Sequence, residues 1–158
     1  MASTLAAVTT GVGGIVATAD NSGNISLLAG STSAIACTST GTTVAGVMAL
    51  SGSYTEGVVA IGTVGASSTL ALTTGTVQTA TLTASTPCTF TMPTATAGKS
   101  FILILTQAAT GMTTATFTSV KFPGGTAPTI TATASAVDIL TFVANGTSWF
   151  GTYAQAFA

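Results

Sequence analysis

The sequence predicts an all-β protein, and three observations carry this prediction. Thr is abundant along the chain, and its β-branched side chain favours extended backbone. The 18 Gly residues recur at short intervals, where they allow tight turns. Glu, a common helix former, occurs only once. We therefore expect an N-terminal intertwined β-fibre-like segment followed by a C-terminal antiparallel β-sandwich or jelly-roll-like domain.

Three parts are predicted along the chain. Residues 1–20 form an N-terminal arm, which we expect to lie along a neighbouring subunit. Residues 21–77 are very short strand-like pieces between Gly-containing turns, among them Ile25–Leu28, Ile35–Cys37, Thr42–Val44 and Val47–Leu50. Each piece carries too little apolar area to form a core alone, so we predict a shaft or anchor in which three chains intertwine.

Residues 78–158 show the pattern of a compact β domain. The segment 100–107 is apolar on both faces, which predicts a central strand. Asn145-Gly146 separates two apolar runs, which is a strong hairpin signal. Phe122-Pro123-Gly124-Gly125 predicts a tight connection, because Pro sets φ and Gly allows positive φ. The remaining predicted strands are Thr79–Ala84, a strand with Cys88, Phe90 and Met92 on one face, Thr114–Thr118 and Thr129–Thr133.

Charged residues are almost absent. The chain has two Lys, three acidic residues and no Arg or His, whereas about a quarter of the residues of a typical domain are charged. The five are Asp20, Glu56, Lys99, Lys121 and Asp138. We interpret Asp138 as a residue that bonds local backbone N–H groups at the start of a strand, and both Lys as solvated rim charges.

This charge inventory excludes several classes of function. General acid–base catalysis needs positioned titratable groups, and no His is present to activate Ser, Thr or Cys. We predict no catalytic, cofactor or metal site, and a net charge of −1 predicts no nucleic-acid binding. The mean hydropathy is +0.72, yet no apolar run approaches the roughly 20 residues of a membrane span. The composition therefore indicates a structural subunit whose surface is covered by copies of itself or by a partner.

Two further features of the sequence are a cleavage-site pattern near the N-terminus and a pair of cysteines. Ala17-Thr18-Ala19 has the small-x-small form of a cleavage site, but no Lys or Arg precedes it and Gly residues interrupt the apolar stretch, so no signal peptide is predicted. Cys37 and Cys88 are 51 residues apart in sequence. We favour two free buried thiols, with a disulfide as the alternative.

One aromatic cluster, formed by Trp149, Phe150 and Tyr153, allows two interpretations. The first is core packing beside Phe142, with the Tyr153 hydroxyl at the edge. The second is a ligand platform for a sugar, made of Trp149, Tyr153 and Gln155. We favour core packing.

The segment Gly98–Phe157 resembles a module that recurs at the C-termini of bacteriophage virion proteins, including tail-fibre and decoration proteins. The matching features are, in order, Gly98–Phe101 with its apolar run, Lys121–Pro128, Asp138–Phe142 and Gly146–Trp149. Phe122 stands where the phage versions commonly have Trp. The segment Asn21–Leu50 is similar to the Gly-Asn-Ile-Ser-Leu and Ser/Thr-Gly patterns of phage fibre shafts.

This resemblance implies a virion structural protein on the exterior of a capsid or tail. We expect a homotrimeric capsid decoration (cement) protein or short head fibre, whose partners are copies of itself and the major capsid protein or another virion protein. The alternative is a tail-fibre or tail-tip protein that binds a host surface glycan through Trp149, Tyr153 and Gln155. A third hypothesis is a secreted bacterial surface filament.

Overall fold

The computed structural model describes residues 41–158, together with the strand backbone of residues 25–29 and 32–38. The chain divides into two units, Met1–Tyr54 and Thr55–Ala158. The first unit contains β1 (Ile25–Ala29), β2 (Thr32–Thr38) and β3 (Gly41–Val44), which form an antiparallel sheet in the order β1-β2-β3. The predicted intertwining of this unit with other chains remains a prediction, and the predicted arm, residues 1–20, lies outside the described residues.

The predicted strand piece Val47–Leu50 is wrong. These residues have no regular strand pairing, and the side chains of Val47 and Leu50 are 94% and 60% exposed. Extended apolar residues need a partner strand, and the described part of the chain supplies none for this segment.

The second unit contains nine strands in two sheets. The strands are β4 (Val58–Val64), β5 (Ser67–Thr69), β6 (Val77–Leu82), β7 (Cys88–Thr91), β8 (Ser100–Thr106), β9 (Ala115–Phe117), β10 (Val120–Lys121), β11 (Val137–Ala144) and β12 (Trp149–Phe157). The large sheet has the order β10-β12-β11-β8-β6-β4, and the small sheet has the order β5-β7-β9. The all-β prediction is confirmed, and β8 is an interior strand as predicted.

The expected antiparallel pairing is wrong for much of this unit. From β4 to β9 the chain alternates between the large and the small sheet, and successive strands within each sheet are parallel. Three such turns form a short coil of the kind found in β-solenoids. Only β8, β11 and β12 pair antiparallel in the large sheet, while β10 pairs parallel with β12.

The division between the units lies earlier than the sequence indicates. The sequence pattern places residues 55–77 in the shaft, but β4 pairs with β6 and β5 pairs with β7. The first turn of this coil, formed by β4 and β5, is therefore part of the C-terminal unit. Its short, weakly apolar strands bury their side chains against later strands, which a local pattern does not reveal.

The core of the second unit lies between the two sheets. The inward-facing residues of the large sheet include Leu103, Leu140 and Phe142, all fully buried. Phe90 and Phe117 of the small sheet stack with their ring centroids 5.4 Å apart, and Phe117 reaches Phe142 at 5.6 Å. Cys88 faces the same core, so the predicted grouping of Cys88, Phe90 and Met92 on one face is confirmed.

The predicted hairpin at Asn145-Gly146 is confirmed, since β11 and β12 pair antiparallel around it. The side-chain oxygen of Asn145 accepts hydrogen bonds from the backbone N–H groups of Thr147 and Ser148. This Asx-type bonding closes a turn that is longer than the two residues of the simplest hairpins. The tight connection is also confirmed: a single 3₁₀ turn covers Pro123–Gly125, and Gly124 has a φ of 67°.

Gly75 is predicted to tolerate no side chain. A Cβ atom at this position would overlap the carbonyl oxygen of Gly57, a backbone atom that cannot rotate away. That carbonyl also accepts a hydrogen bond from Val77 N–H at 3.2 Å, which starts the pairing of β4 with β6. We expect Gly75→Ala to lower the free energy of unfolding by roughly 2–3 kcal/mol, measured by denaturant titration.

Gly65→Ala is the matched control for this substitution. Gly65 has no atom within 4 Å of its Cβ position and no positive φ. The control is expected to be neutral or slightly stabilising, by up to about 1 kcal/mol. Equal effects of the two substitutions would contradict the close approach of Gly57 and Gly75.

Candidate interaction surface

Trp149 lies in the core of the second unit. Its side chain is only 1% exposed, and its indole N–H donates a hydrogen bond to the carbonyl oxygen of Pro93 at 2.7 Å. The ring packs edge-on against Phe101, with 5.2 Å between the centroids. Both the ring faces and the polar N–H of Trp149 are therefore used within the protein, as the core-packing interpretation expected. That interpretation is wrong for Phe150, which is 40% exposed and faces away from the core, because side chains alternate along β12 and Trp149 points inward.

Tyr153 and Gln155 do not complete a platform with Trp149. The Tyr153 ring is 41% exposed and lies 6.3 Å from the ring of Phe122. The Gln155 side-chain N–H₂ group donates to the carbonyl oxygen of Thr129 at 2.5 Å and to Asp138 at 3.3 Å. A sugar-stacking platform formed by all three residues would require an exposed Trp149, which the structure does not provide.

A buried polar network holds the irregular segment between residues 126 and 136. Gln107 is 1% exposed, and its amide donates to the carbonyl oxygens of Thr113 and Thr131, both at 2.9 Å. Its oxygen accepts from the N–H groups of Ala108 and Thr113. Each hydrogen-bonding position of this amide thus has a protein partner, which makes its burial favourable.

Asp138 forms the second half of this network. One carboxylate oxygen accepts from Thr131 N–H at 2.8 Å, and the other accepts from the Thr131 hydroxyl at 2.7 Å and from Ala156 N–H at 3.0 Å. Burial by itself raises the pKa of this carboxyl, but these hydrogen bonds, with that from Gln155, lower the pKa below its ordinary value. The predicted role as an acceptor of backbone N–H groups is correct, although the donors are distant in sequence.

This network also explains why the predicted strand Thr129–Thr133 is wrong. The N–H and carbonyl groups of Thr131 bond to the side chains of Asp138 and Gln107 rather than to a neighbouring strand. Ile130 is nevertheless buried, so the segment closes the core without joining a sheet. Gln107 and Thr131 were not singled out in the sequence, where the only signal was a polar residue directly after the apolar strand β8.

The titratable groups are dispersed. Glu56 accepts a hydrogen bond from the Thr76 hydroxyl, and the Lys121 ammonium lies 5.8 Å from the ring centroid of Phe150. Among the described residues no three His, Cys, Asp or Glu side chains come together in a way that could hold a metal ion. Cys88 is buried and free, and burial raises the pKa of its thiol, whereas the side chain of Cys37 lies outside the described residues.

A cleft of about 310 Å³ is lined by residues from the connection between β5 and β6 and from the connection between β7 and β8. Its lining combines Leu70, Leu72 and Pro93 with the hydroxyls of several Thr residues and with Lys99. The carbonyl oxygen of Ala71, one of the lining residues, accepts a hydrogen bond from the side-chain amide of the fully buried Gln78 at 2.7 Å. The cleft is at the lower limit of size for small-molecule sites, and it carries one charged group.

The two sheets of the second unit present very different surfaces to the outside. The outward residues of the small sheet are all hydroxyl residues: Ser67, Thr69, Thr89, Thr91 and Thr116 are exposed. We call the outward side of the large sheet the outer face. Its members are Val58, Ala60, Thr63, Val77, Thr79, Thr81, Ser100, Ile102, Ile104, Thr106, Val137, Ile139, Thr141, Val143, Phe150, Thr152, Ala154 and Phe157, with Lys121 beside Phe150 on the edge strand β10.

The outer face is largely apolar and carries a single charge. Nine of its members are Val, Ile or Phe, none of its members is buried, and Lys121 at the edge is its one charged member. Val58 and Val143 are 62% and 50% exposed. A contiguous exposed apolar surface of this kind marks an interaction site in soluble proteins, and it is the strongest candidate functional surface of the second unit.

Searches against protein-family models, curated proteins and solved structures found no match for this chain. The part of the chain that the structure describes contains no helix long and apolar enough to cross a membrane.

Proposed function

We propose that this chain is a non-enzymatic structural protein of a bacteriophage virion. It acts as a homotrimeric capsid decoration protein or a short head fibre on the exterior of the particle. The observation that carries the proposal is the largely apolar outer face, with Lys121 as its one charge, opposite an all-hydroxyl face. One side of the second unit is thus suited to burial against protein, and the other to contact with water.

The composition supports the same function. With five charged residues in the chain, attraction to a partner by charge steering is weak. Cementing would instead depend on buried apolar and Thr-rich surface and on backbone hydrogen bonds across subunits. The resemblance of residues 98–157 and 21–50 to phage virion modules points to a particle surface as the place of assembly.

The alternative function, a tail protein that binds a host glycan, receives less support. It needs exposed aromatic rings, and of its three proposed residues Trp149 is buried and Gln155 has its amide donor engaged. A glycan array with the full chain tests it. Specific binding that is lost in Tyr153→Ala would favour the glycan function over decoration.

The decoration function predicts a salt-resistant trimer that binds capsids. Native mass spectrometry at micromolar concentration is expected to show three times the 15.2 kDa chain mass. Binding to empty capsids of the encoding phage, measured by co-sedimentation, should change less than about threefold between 0.1 and 1 M NaCl, because apolar contacts are not screened.

A monomer at micromolar concentration would overturn the trimer. Trimers that do not bind empty capsids would overturn the decoration function. A virion density map that places the chain elsewhere on the particle would also overturn it, and would locate the true partner.

A further inference from the structure

We propose that the outer face is the surface through which three copies of this chain pack around a common axis. This inference rests on the homotrimer of the proposed function and names the surface that forms it. The core of the trimer would consist of Val, Ile and Thr side chains from three large sheets. The hydroxyl-covered small sheets would then point outward to solvent.

The first argument is the topology of the large sheet. Strands β4, β6 and β8 are parallel, and parallel sheets are almost always covered on both faces. Strand β8 has the sequence of a doubly covered strand: Phe101, Leu103 and Leu105 are buried inward, while Ile102 and Ile104 point outward. In the described structure only the inward side has a covering layer, since no outer-face residue is buried.

The second argument is the scarcity of charge, which restricts the partner. A nucleic acid or an anionic membrane would find one cation on this face, Lys121, which is too little for attraction by charge. A second copy presents an equally apolar, β-branched surface, which suits the interdigitation of stacked sheets. Lys121 is exposed on the edge strand β10, where its ammonium lies 5.8 Å from the centroid of Phe150 and can remain hydrated.

The third argument is the width of the face, which fits a threefold axis. The five long strands, spaced about 4.8 Å apart, put the outer two about 19 Å from one another. Three faces of that width, arranged as a triangular prism, place each sheet about 5–6 Å from the axis. This agrees with half of the roughly 10 Å separation at which sheets pack face to face.

The area is also sufficient for a specific interface. Five strands with about six residues each give a flat area of roughly 500 Å² per copy, without the additional surface of the protruding side chains. Three such faces around one axis thus bury roughly 1,500 Å² in the closed trimer, which is within the range of specific protein interfaces.

Two matched substitutions test the proposal in the full chain. Thr141→Lys places a charge on the outer face, on β11, and Thr91→Lys places the same charge on the small sheet, on β7; both positions are exposed. We expect Thr141→Lys to raise the concentration at which the trimer dissociates by at least about 100-fold, because an unpaired charge would be buried. Thr91→Lys should change it less than about threefold. Analytical ultracentrifugation measures both, and circular dichroism checks that each variant is folded.

A cross-linking experiment tests the same surface if the Thr141→Lys variant does not fold. In a Cys37→Ser background, Thr141→Cys should give covalent dimers with a short bismaleimide, because one reactive Cys in each chain allows two chains of a trimer to be joined, whereas Thr91→Cys should give none. A wild-type trimer with an unchanged Thr141→Lys variant, or without cross-links at position 141, would overturn the outer face as the interface. The trimer of the proposed function would survive that result, whereas a monomeric wild type would overturn both.

Discussion

Asp138→Ala is expected to lower the free energy of unfolding by roughly 3–5 kcal/mol, among the largest effects of any single substitution in this chain. The substitution removes an acceptor that the backbone N–H groups of Thr131 and Ala156 both use. These partly buried donors would lose their shared acceptor, and the segment around Thr131 would lose its attachment to β11. Denaturant titration at one fixed protein concentration measures the loss.

The same carboxylate makes stability depend on pH in a defined direction. The pKa of Asp138 is lower in the folded protein than its ordinary value of 3.8, so the folded state favours the ionised form. Its contribution is complete above about pH 4 and is lost as the pH falls through the folded-state pKa. The chain has only three acidic side chains, so few other groups mask this effect.

Asp138→Asn provides the control for the pH dependence. We expect this variant to be roughly 2–4 kcal/mol less stable than the wild type at pH 7, because its amide donors face backbone donors. The difference should shrink below pH 4, where the wild-type carboxylate also becomes protonated. A difference that stays constant from pH 7 to pH 2 would contradict the assigned hydrogen bonds.

Phe142→Ala is expected to lower the free energy of unfolding by roughly 3–5 kcal/mol. Phe142 is fully buried, and its ring centroid lies 4.8 Å from that of Phe101, 5.6 Å from that of Phe117 and 6.4 Å from that of Phe122. These rings belong to both sheets and to the tight connection, so the cavity cannot close without moving several elements. Denaturant titration at one fixed protein concentration measures this loss as well.

Two further substitutions test how the loss of stability depends on side-chain size and on burial. Phe142→Leu should cost about 1–1.5 kcal/mol, because it retains most of the apolar volume. Met112→Ala, at a half-exposed position in the connection from β8 to β9, should cost less than about 1 kcal/mol. Similar losses for Phe142→Ala and Met112→Ala would contradict the central place of Phe142 in the core.

The features that local sequence predicts well are those that local chemistry controls. The hairpin at Asn145-Gly146, the turn at Pro123 and the inward face of Cys88 and Phe90 follow from residue types within a few positions. The central position of β8 also followed, because a strand that is apolar on both faces cannot lie at an exposed edge.

The candidate surface was only partly predictable. The sequence shows that Ile102 and Ile104 alternate with Phe101, Leu103 and Leu105, but it does not show which side remains uncovered. That choice depends on where the small sheet packs. The buried network of Gln107, Thr131 and Asp138 was missed for a similar reason, since its members come together only when residues 107, 131 and 138 meet.

The sequence by itself determined that this protein is built from β-strands and tight turns and carries very little charge. These properties follow from β-branched side chains, Gly and Pro positions, and simple composition. The tertiary structure decided that β4 to β9 coil in parallel, that Trp149 points into the core and that no residue of the largely apolar outer face is buried in the described part of the chain. Partners such as Val77 and Ile102 are 25 positions apart, and burial over that distance is a property of the packed chain that no local pattern encodes.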